Sequence, residues 1–322
     1  MHFRIRSSVA VAVLLAASGC GGDYSNADVE FAAAVPRRSD VTVRMPLTSG
    51  LTASGLRAEG ATSLAYLDPS QTYAETRKAA DGLDQMAGFF VGILEAVTRY
   101  DPTVRTPELR VWGPFDNDQA PGWELQLAIT RQPVQIDSTD PEGPHEGFYW
   151  KIEHKQRSAT SWQEVPLAEG LYEPGEIRRG RGLVFVHVSE VRASGMPMDD
   201  FDTLAQIALG YDTRAGHPHT ISLDVTNQAT EQVRMSYQEL DTGSGQLVFD
   251  IKQMDPRATR LLAVSRWAAD AAGRADLAVV SGTMAGTSAT ECWDAQQRVS
   301  FVDNPVEGVR DGYEYLCVFG GL

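Results

Sequence analysis

Residues 70–100, with the sequence SQTYAETRKAADGLDQMAGFFVGILEAVTRY, form the stretch that decides the fold. Asp68 and Pro69 suit the N-cap and the first position of a helix, and Asp101 with Pro102 ends it. Between these signals apolar residues recur at intervals of three, four or seven, which predicts one long helix with a single apolar face. That face carries Tyr73, Ala80, Leu83, Ala87, Phe90, Leu94 and Val97, and Phe89, Val91 and Ile93 widen it.

Charged residues within this stretch argue against a membrane-spanning helix. Asp84, Glu95 and Arg99 interrupt its most apolar part, so we expect an amphipathic helix packed on the rest of the protein. Gly88 and Gly92 are four residues apart, a spacing that favours close packing of the helix against a sheet.

From Glu108 onward the apolar residues alternate with polar ones, which is the period of strands with one buried face. The alternation is clearest at Trp123, Leu125, Leu127 and Ile129, and again at Phe148, Trp150 and Ile152. Strands are also expected at residues 41–47, 62–67, 183–191 and 313–319. Roughly ten to twelve strands with no second helical block predict an antiparallel up-and-down sheet.

A sheet of this size must cover one apolar face and two edges, either by closing into a barrel or by curling around the helix. The apolar face of the helix is wide, with Phe89 and Phe90 at its centre, and a concave sheet offers enough area to cover it. We therefore expect a mainly β protein in which an antiparallel up-and-down sheet curls as a half-barrel around one long α-helix.

The amino terminus has the layout of a secretory signal peptide, with a basic start at residues 2–6 and a run of Val, Ala and Leu at residues 9–17. The run ends in Ala17-Ser18-Gly19-Cys20, which resembles the lipobox of bacterial lipoproteins. In that family the signal peptidase cuts before the Cys, which then carries a diacylglycerol and usually an acyl chain such as palmitate on its amino group. An ordinary cleaved signal with an incidental Cys is the alternative.

The resemblance implies that residues 1–19 are a lipoprotein signal peptide and that acylated Cys20 attaches the protein to a membrane of the bacterial cell envelope. Gly21 follows the Cys, in place of the Asp that retains enterobacterial lipoproteins in the inner membrane, so the outer membrane is expected. Residues 20–40 show no helical or strand period and predict a flexible tether after the lipidated Cys. Residues 41–322 are expected to form one helix-containing antiparallel β domain.

Once Cys20 is assigned to lipidation, Cys292 and Cys317 remain as a pair in an oxidising compartment, which predicts a disulfide bond between them.

Charge excludes one class of partner. The sequence holds 28 Lys and Arg residues against 43 Asp and Glu residues, a formal net charge of −15. A chain with this charge repels phosphate backbones and anionic lipid headgroups alike, so nucleic acid is not an expected partner.

The order of lipidated Cys, tether, long helix and curved antiparallel sheet resembles the lipoprotein carriers LolA, LolB and LppX. This resemblance implies an apolar ligand or lipid bound in the concave sheet. The candidate lining is Phe89, Phe90, Ile93, Trp123, Trp150 and Phe249. Short segments such as Val111-Trp112-Gly113-Pro114 and Glu291-Cys292-Trp293-Asp294 resemble uncharacterised lipoproteins of the myxobacterial type, and that resemblance implies no activity.

Motifs for catalysis and metal binding are missing from the sequence. It contains no GxSxG nucleophile elbow and no SxxK motif, so we expect no enzyme, no catalytic residue and no cofactor. His217 and His219 are too few for a zinc site and are expected to be exposed in a loop. Arg178, Arg179 and Arg181 form a basic cluster that either holds an anionic group or keeps a hairpin turn soluble.

Two functions remain. The first is a non-enzymatic, membrane-anchored envelope lipoprotein that binds an apolar ligand in its concave sheet. The second is a surface interaction lipoprotein that binds another envelope protein or a glycan through a sheet face or loops.

Overall fold

The computed structural model describes residues 25–46, 66–176, 179–198, 201, 203–227, 231–239, 243–253 and 259–321. Its helices are α1 (Asn26–Ala32), α2 (Gln71–Val97) and α3 (Val188–Ala193). Its strands are β1 (Val104–Arg105), β2 (Leu109–Asp116), β3 (Trp123–Val134), β4 (His145–Gln156), β5 (Ala168–Pro174), β6 (Gly180–Val186), β7 (Leu204–Asp212), β8 (His219–Asn227), β9 (Glu231–Glu239), β10 (Gly245–Gln253), β11 (Arg260–Trp267), β12 (Gly273–Ser281), β13 (Ser288–Trp293), β14 (Val299–Asn304) and β15 (Val309–Gly312). The predicted signal peptide and Cys20 lie outside the described residues.

All fifteen strands belong to one antiparallel sheet whose spatial order is the order of the sequence. The expected β class and up-and-down topology are confirmed, with more strands than predicted. The sheet is not closed, since β1 and β15 are its two edges. Because the strands alternate in direction, the turns after β1, β3, β5, β7, β9, β11 and β13 all lie at one end of the sheet, here named the upper end.

The long helix α2 forms as predicted and continues through Gly82 without a break. The predicted N-cap, Asp68, is wrong. The N-cap is Ser70, whose side chain accepts a hydrogen bond from the Tyr73 amide at 3.0 Å. The buried face carries Tyr73, Thr76, Ala80, Leu83, Ala87, Gly88, Phe90, Val91 and Leu94. The apolar face predicted from the sequence is therefore the face of α2 that the fold buries.

Contacts of α2 extend over most of the sheet. At its start, Ser70 bonds Glu291 of β13, and the Thr76 hydroxyl lies 2.9 Å from the Ser265 hydroxyl of β11. Further along, Phe90 and Leu94 pack against β6, β7 and β8, where Val184, Ile207 and Leu223 face the helix. One apolar core joins α2 to these strands, and its largest fully buried side chains include Trp112, Trp150 and Trp267.

The N-terminal strap, residues 25–46, runs alongside α2 in the opposite direction. The Arg38 amide donates to Glu95 at 3.3 Å, and the Val43 amide donates to Asp84 at 2.8 Å. Residues 25–40 were expected to be part of a tether, but α1 forms there and Phe31 is fully buried. The strand predicted at residues 41–47 is not formed in its described part, since Val43 bonds a helix side chain instead of a neighbouring strand.

Further strand predictions need correction. The predicted strand at residues 183–191 ends at Val186, and α3 begins at Val188, so valines on both faces of the segment reflect two successive elements. The predicted strand at residues 313–319 is a short 3-10 turn, Glu314–Leu316, followed by extended chain. Of residues 62–67, only Tyr66 and Leu67 are described, and they lie in a turn.

The C-terminal segment folds back over the face of the sheet opposite α2. Arg274 lies between Gly273 and Ala275 on β12 and points away from the helix, and its side chain donates to the Phe319 carbonyl at 3.4 Å. Arg266 of β11 donates to the Gly320 carbonyl at 2.9 Å. The sulfur atoms of Cys292 and Cys317 lie 2.11 Å apart, so the expected disulfide pair is confirmed.

Aromatic rings on four strands lie flat over glycines of a neighbouring strand. A Cβ added at Gly170 would lie 2.5 Å from the Trp150 ring, and one at Gly245 would lie 2.5 Å from the Trp267 ring. The same relation holds between Gly182 and Tyr211, and between Gly273 and Trp293. Each glycine leaves the space that its neighbour's ring occupies.

Candidate functional site

All six residues of the predicted apolar lining belong to the core between α2 and the sheet. Phe90, Trp123 and Trp150 are buried, and Phe89, Ile93 and Phe249 are partly buried and pack against them. The ring centroids of Phe89 and Phe90 lie 5.3 Å apart, and Phe201, which was not predicted, stacks on Phe90 at 5.5 Å.

One small cavity lies within this core, and Phe90 is the member of the predicted lining that borders it. The cavity between α2 and strands β6 to β8 has a volume of about 10 Å³, room for about one water molecule. Its lining is Pro36, Met86, Ala87, Phe90, Val91, Leu94, Val184, Val186, Ile207, Leu209 and Leu223. A lipid chain could enter here only if α2 moved away from the sheet.

A larger and polar cavity lies at the upper end of the sheet, and we name it the upper cleft. Its volume is about 510 Å³. It is lined by Ser39, Asp40, Arg44, Arg179, Thr213, Arg214, Gly216, His217, His219, Glu239 and Gly243.

The up-and-down topology assembles the upper cleft from segments that are distant in sequence. Every second turn reaches the upper end, so the turn after β5 brings Arg179 next to the turn after β7, which carries Arg214 and His217. The strap crosses the same end and contributes Ser39, Asp40 and Arg44. Arg179 of the basic cluster and the two histidines, which the sequence showed separately, thus line one cavity, while Arg178 lies outside the described residues.

Arg214 is held in place by carboxylates behind the cleft. Its Nη2 lies 2.6 Å from Asp212 Oδ2, and its Nη1 lies 3.8 Å from Glu173 Oε1. Burial opposes ionisation of Asp212, but hydrogen bonds from Arg214 outweigh it and hold the pKa of Asp212 below its usual value. Glu173 also binds Arg181 at 2.7 Å, so Arg181 of the basic cluster is already paired.

His219 joins the strap to the sheet. Its Nε2 donates to the Asp40 carbonyl at 2.9 Å, and its Nδ1 lies 3.5 Å from Glu239 Oε2. Its side chain is 9% exposed, so the expectation of a solvent-exposed loop histidine is wrong for His219, whereas His217 is exposed. Glu239 Oε2 also binds Arg44 of the strap at 3.2 Å. Burial raises the pKa of the neighbouring Asp40 carboxyl.

A serine and a histidine approach each other at the opposite end of the sheet. His154 Nε2 lies 3.1 Å from Ser194 Oγ, and this hydroxyl donates to the Val191 carbonyl at 2.6 Å. Burial lowers the pKa of His154 to about 4, and its Nδ1 has no hydrogen-bond partner within the described residues. Among the described residues, no carboxylate bonds this Nδ1 in the way that orients the histidine of a catalytic triad.

The remaining candidates from the sequence are placed as follows. Asp199 and Asp200 lie outside the described residues. No group of three or more His, Cys, Asp or Glu side chains in the described ranges is arranged to hold a metal ion. None of the described helices is both long and apolar enough to cross a membrane.

Comparison with protein-family models, curated proteins and solved structures found no match to this chain.

Proposed function

We propose that this protein is a lipid-anchored, non-enzymatic binding protein of the bacterial cell envelope that receives its ligand or partner in the upper cleft. The supporting observation is the contrast between the two cavities. The interior gap measures about 10 Å³, whereas the polar cleft at the upper end measures about 510 Å³ and lies within the usual range for ligand sites.

The proposal of a lipid anchor is supported by the sequence around Cys20. Together with the fold, it predicts which end of the sheet lies near the membrane. Chain geometry limits the span from Cys20 to Ser25 to about 17 Å. The strap begins at Ser25 and packs on the sheet from α1 onward, so an acylated Cys20 would hold the upper end close to the membrane. Retention in the outer membrane remains part of this proposal.

We further propose that the sheet curls around α2 as a half-barrel. The contacts of α2 with strands from β6 to β13 support a concave surface. Glycines beneath aromatic rings, such as Gly170 beneath Trp150, reduce side-chain volume on that surface, which favours curvature. A small-angle scattering profile would distinguish a curled sheet from a flat one by its maximum dimension.

The anchor is tested by replacing Cys20 with Ser in the full-length chain. We expect wild type to incorporate labelled palmitate and to fractionate with the outer membrane, and the Cys20→Ser variant to lose the label. Palmitate labelling that persists in the variant would overturn the anchor, because the label would then be elsewhere.

The cleft is tested by photo-cross-linking in cells. A photoreactive residue at Ala215, an exposed position beside Arg214 in the upper cleft, is compared with one at Ala285, an exposed turn at the opposite end. We expect a defined adduct from position 215 and none from position 285. Equal labelling at both positions, or none at position 215, would contradict a binding role for the cleft.

The alternative of an apolar ligand between α2 and the sheet is tested by native mass spectrometry of an exported chain starting at Asp23, which keeps every described residue. We expect the mass of the chain without a lipid. A co-purified lipid that Phe90→Ala removes would instead favour the carrier function, because Phe90 lines the interior gap.

A further inference from the structure

The carboxylates that line the upper cleft are already engaged by donors of the protein itself. Glu239 Oε2 faces both Arg44 and His219, at 3.2 and 3.5 Å. Asp40 Oδ2 accepts from the Arg37 amide at 2.8 Å, and its Oδ1 accepts from the Ser39 hydroxyl at 3.4 Å. Each of the two carboxylates thus faces donors that the protein itself supplies.

Two of the donor side chains that line the cleft, in contrast, are not engaged by the protein's described residues. The Arg179 and His217 side chains are exposed in the cleft and make no hydrogen bond or ion pair with any described residue. An arginine side chain carries five N–H donors, and a neutral imidazole carries one. Arg179 and His217 therefore provide unused donors in the upper cleft, and these suit an anionic ligand.

The guanidinium group of Arg214 is also held in a fixed orientation by the protein itself. The Nη2 and Nε atoms of Arg214 donate to Asp212 Oδ2 at 2.6 and 3.1 Å. These hydrogen bonds fix the position of the Arg214 side chain in the lining of the cleft. A side chain that is already ordered loses less conformational entropy on binding, so it contributes more to affinity than a mobile one.

The donors come from three separate segments, which favours a phosphate group over a carboxylate. Arg44 comes from the strap, Arg179 from the turn after β5, and Arg214 with His217 from the turn after β7. A carboxylate presents two oxygens in one plane, whereas a phosphate presents acceptors on several sides and suits donors from three segments. The volume of about 510 Å³ exceeds that of a phosphate ion, so the group would belong to a larger molecule.

From these observations we infer that the upper cleft binds a phosphate-bearing ligand, contacted by Arg179 and His217 and surrounded by Arg44 and Arg214. This inference rests on the proposed binding function of the cleft and names the chemistry of what it receives. The phosphate has two sources, a soluble phosphorylated small molecule or the headgroup of an anionic phospholipid. The headgroup is within reach if Cys20 anchors the upper end near the bilayer.

The experiment is calorimetric titration of the full-length protein in an uncharged detergent. One arm uses inorganic phosphate and the other uses short-chain phosphatidylglycerol, each compared with the Arg179→Ala/His217→Ala double variant. Arg99→Ala is the matched control, because Arg99 is exposed, lies outside the cleft and has no ion pair within the described residues. We expect binding at least about tenfold weaker in the double variant, as for loss of one charge-assisted contact, and unchanged in the control.

Binding of inorganic phosphate that depends on Arg179 and His217 would assign a soluble ligand, and dependent binding of phosphatidylglycerol alone would assign a headgroup. Absence of binding in both arms, or equal binding by wild type and double variant, would overturn the inference. The cross-linking experiment at position 215 distinguishes failure of the phosphate inference from failure of the proposed binding function. A phosphate-free adduct there would overturn the phosphate ligand and leave the binding function standing, and no adduct at all would overturn both.

Discussion

At the scale of single residues, burial of titratable groups sets how the protein responds to pH. His154 is 1% exposed, and burial lowers its pKa from 6.5 to about 4. Between these two values the unfolded chain binds a proton that the folded protein does not bind. The free energy of unfolding therefore falls as the pH drops from about 6.5 toward 4.

This sign gives a prediction for His154→Gln, which keeps an amide group facing Ser194 but cannot titrate. Between pH 7 and pH 5 we expect wild type to lose about 2 kcal/mol more stability than the variant, as measured by urea unfolding at each pH. His217→Gln retains His154 and should keep the wild-type behaviour. Parallel stability curves for wild type and His154→Gln would show that His154 is not buried in its neutral form.

A second residue prediction concerns Asp28, which is fully buried at the start of α1. Burial opposes its charge, but the Arg110 hydrogen bond at 2.5 Å and contacts from Ser25 and Arg105 together lower its pKa to about 2. Asp28→Asn leaves Arg110 buried without its counter-charge, and we expect a cost of about 3 kcal/mol. Hydrogen exchange of the α1 amides should rise, since the strap loses its attachment to β2.

Glu30→Gln is the matched control for Asp28→Asn on the same helix. Glu30 pairs with Arg131 at 2.7 Å but is 52% exposed, so its loss is expected to cost less than about 1 kcal/mol. Equal effects of the two substitutions would mean that the buried pair does not hold the strap.

At the scale of elements, Gly82 in α2 and Gly170 in β5 differ in whether the surrounding structure has room for a side chain. Gly82 lies within α2 and an added Cβ would meet nothing within 4 Å, whereas at Gly170 it would lie 2.5 Å from both the Trp150 ring and the Leu183 carbonyl. The helix therefore has room where the sheet has none.

We predict that Gly82→Ala stabilises the protein by about 0.5–1 kcal/mol, because alanine restricts the unfolded chain and favours the helix. Gly170→Ala should destabilise it by about 1–3 kcal/mol, because the Trp150 ring or the strand backbone must shift. Thermal unfolding of both variants measures the difference. A neutral Gly170→Ala would contradict the packing of Trp150 over this glycine.

At the scale of the whole molecule, one covalent link joins the C-terminal tail to β13. The bond between Cys292 and Cys317 spans 25 residues and holds the segment that covers Arg266 and Arg274. We predict that the Cys292→Ser/Cys317→Ser double variant loses about 3 kcal/mol and that amide exchange rises in residues 313–321. Exchange in α2 should not change, and tail amides that remain protected would show that noncovalent contacts alone hold the tail.

Local patterns predicted the elements well where one side of the chain is buried. The period of α2 identified Leu83, Phe90 and Leu94 as core residues, and period-two alternation identified Trp123 and Trp150. The same patterns failed at residues 183–191, where valines continue through the end of β6 into α3. The strap was predicted to be a tether because residues 20–40 show no such period, although Phe31 within it is fully buried.

The sequence by itself determined the long helix and the up-and-down order of strands, because both follow from local periodicity. It also predicted the disulfide partners, because the expected lipidation of Cys20 leaves only Cys292 and Cys317. Only the tertiary structure decided the number of strands in one sheet, the course of the strap beside α2, and the upper cleft. The cleft unites Arg44, Arg179, His217 and Glu239, which are far apart along the chain. Such groups meet only after strand pairing has brought alternate turns to the same end, and this long-range geometry leaves no mark on any single stretch of sequence.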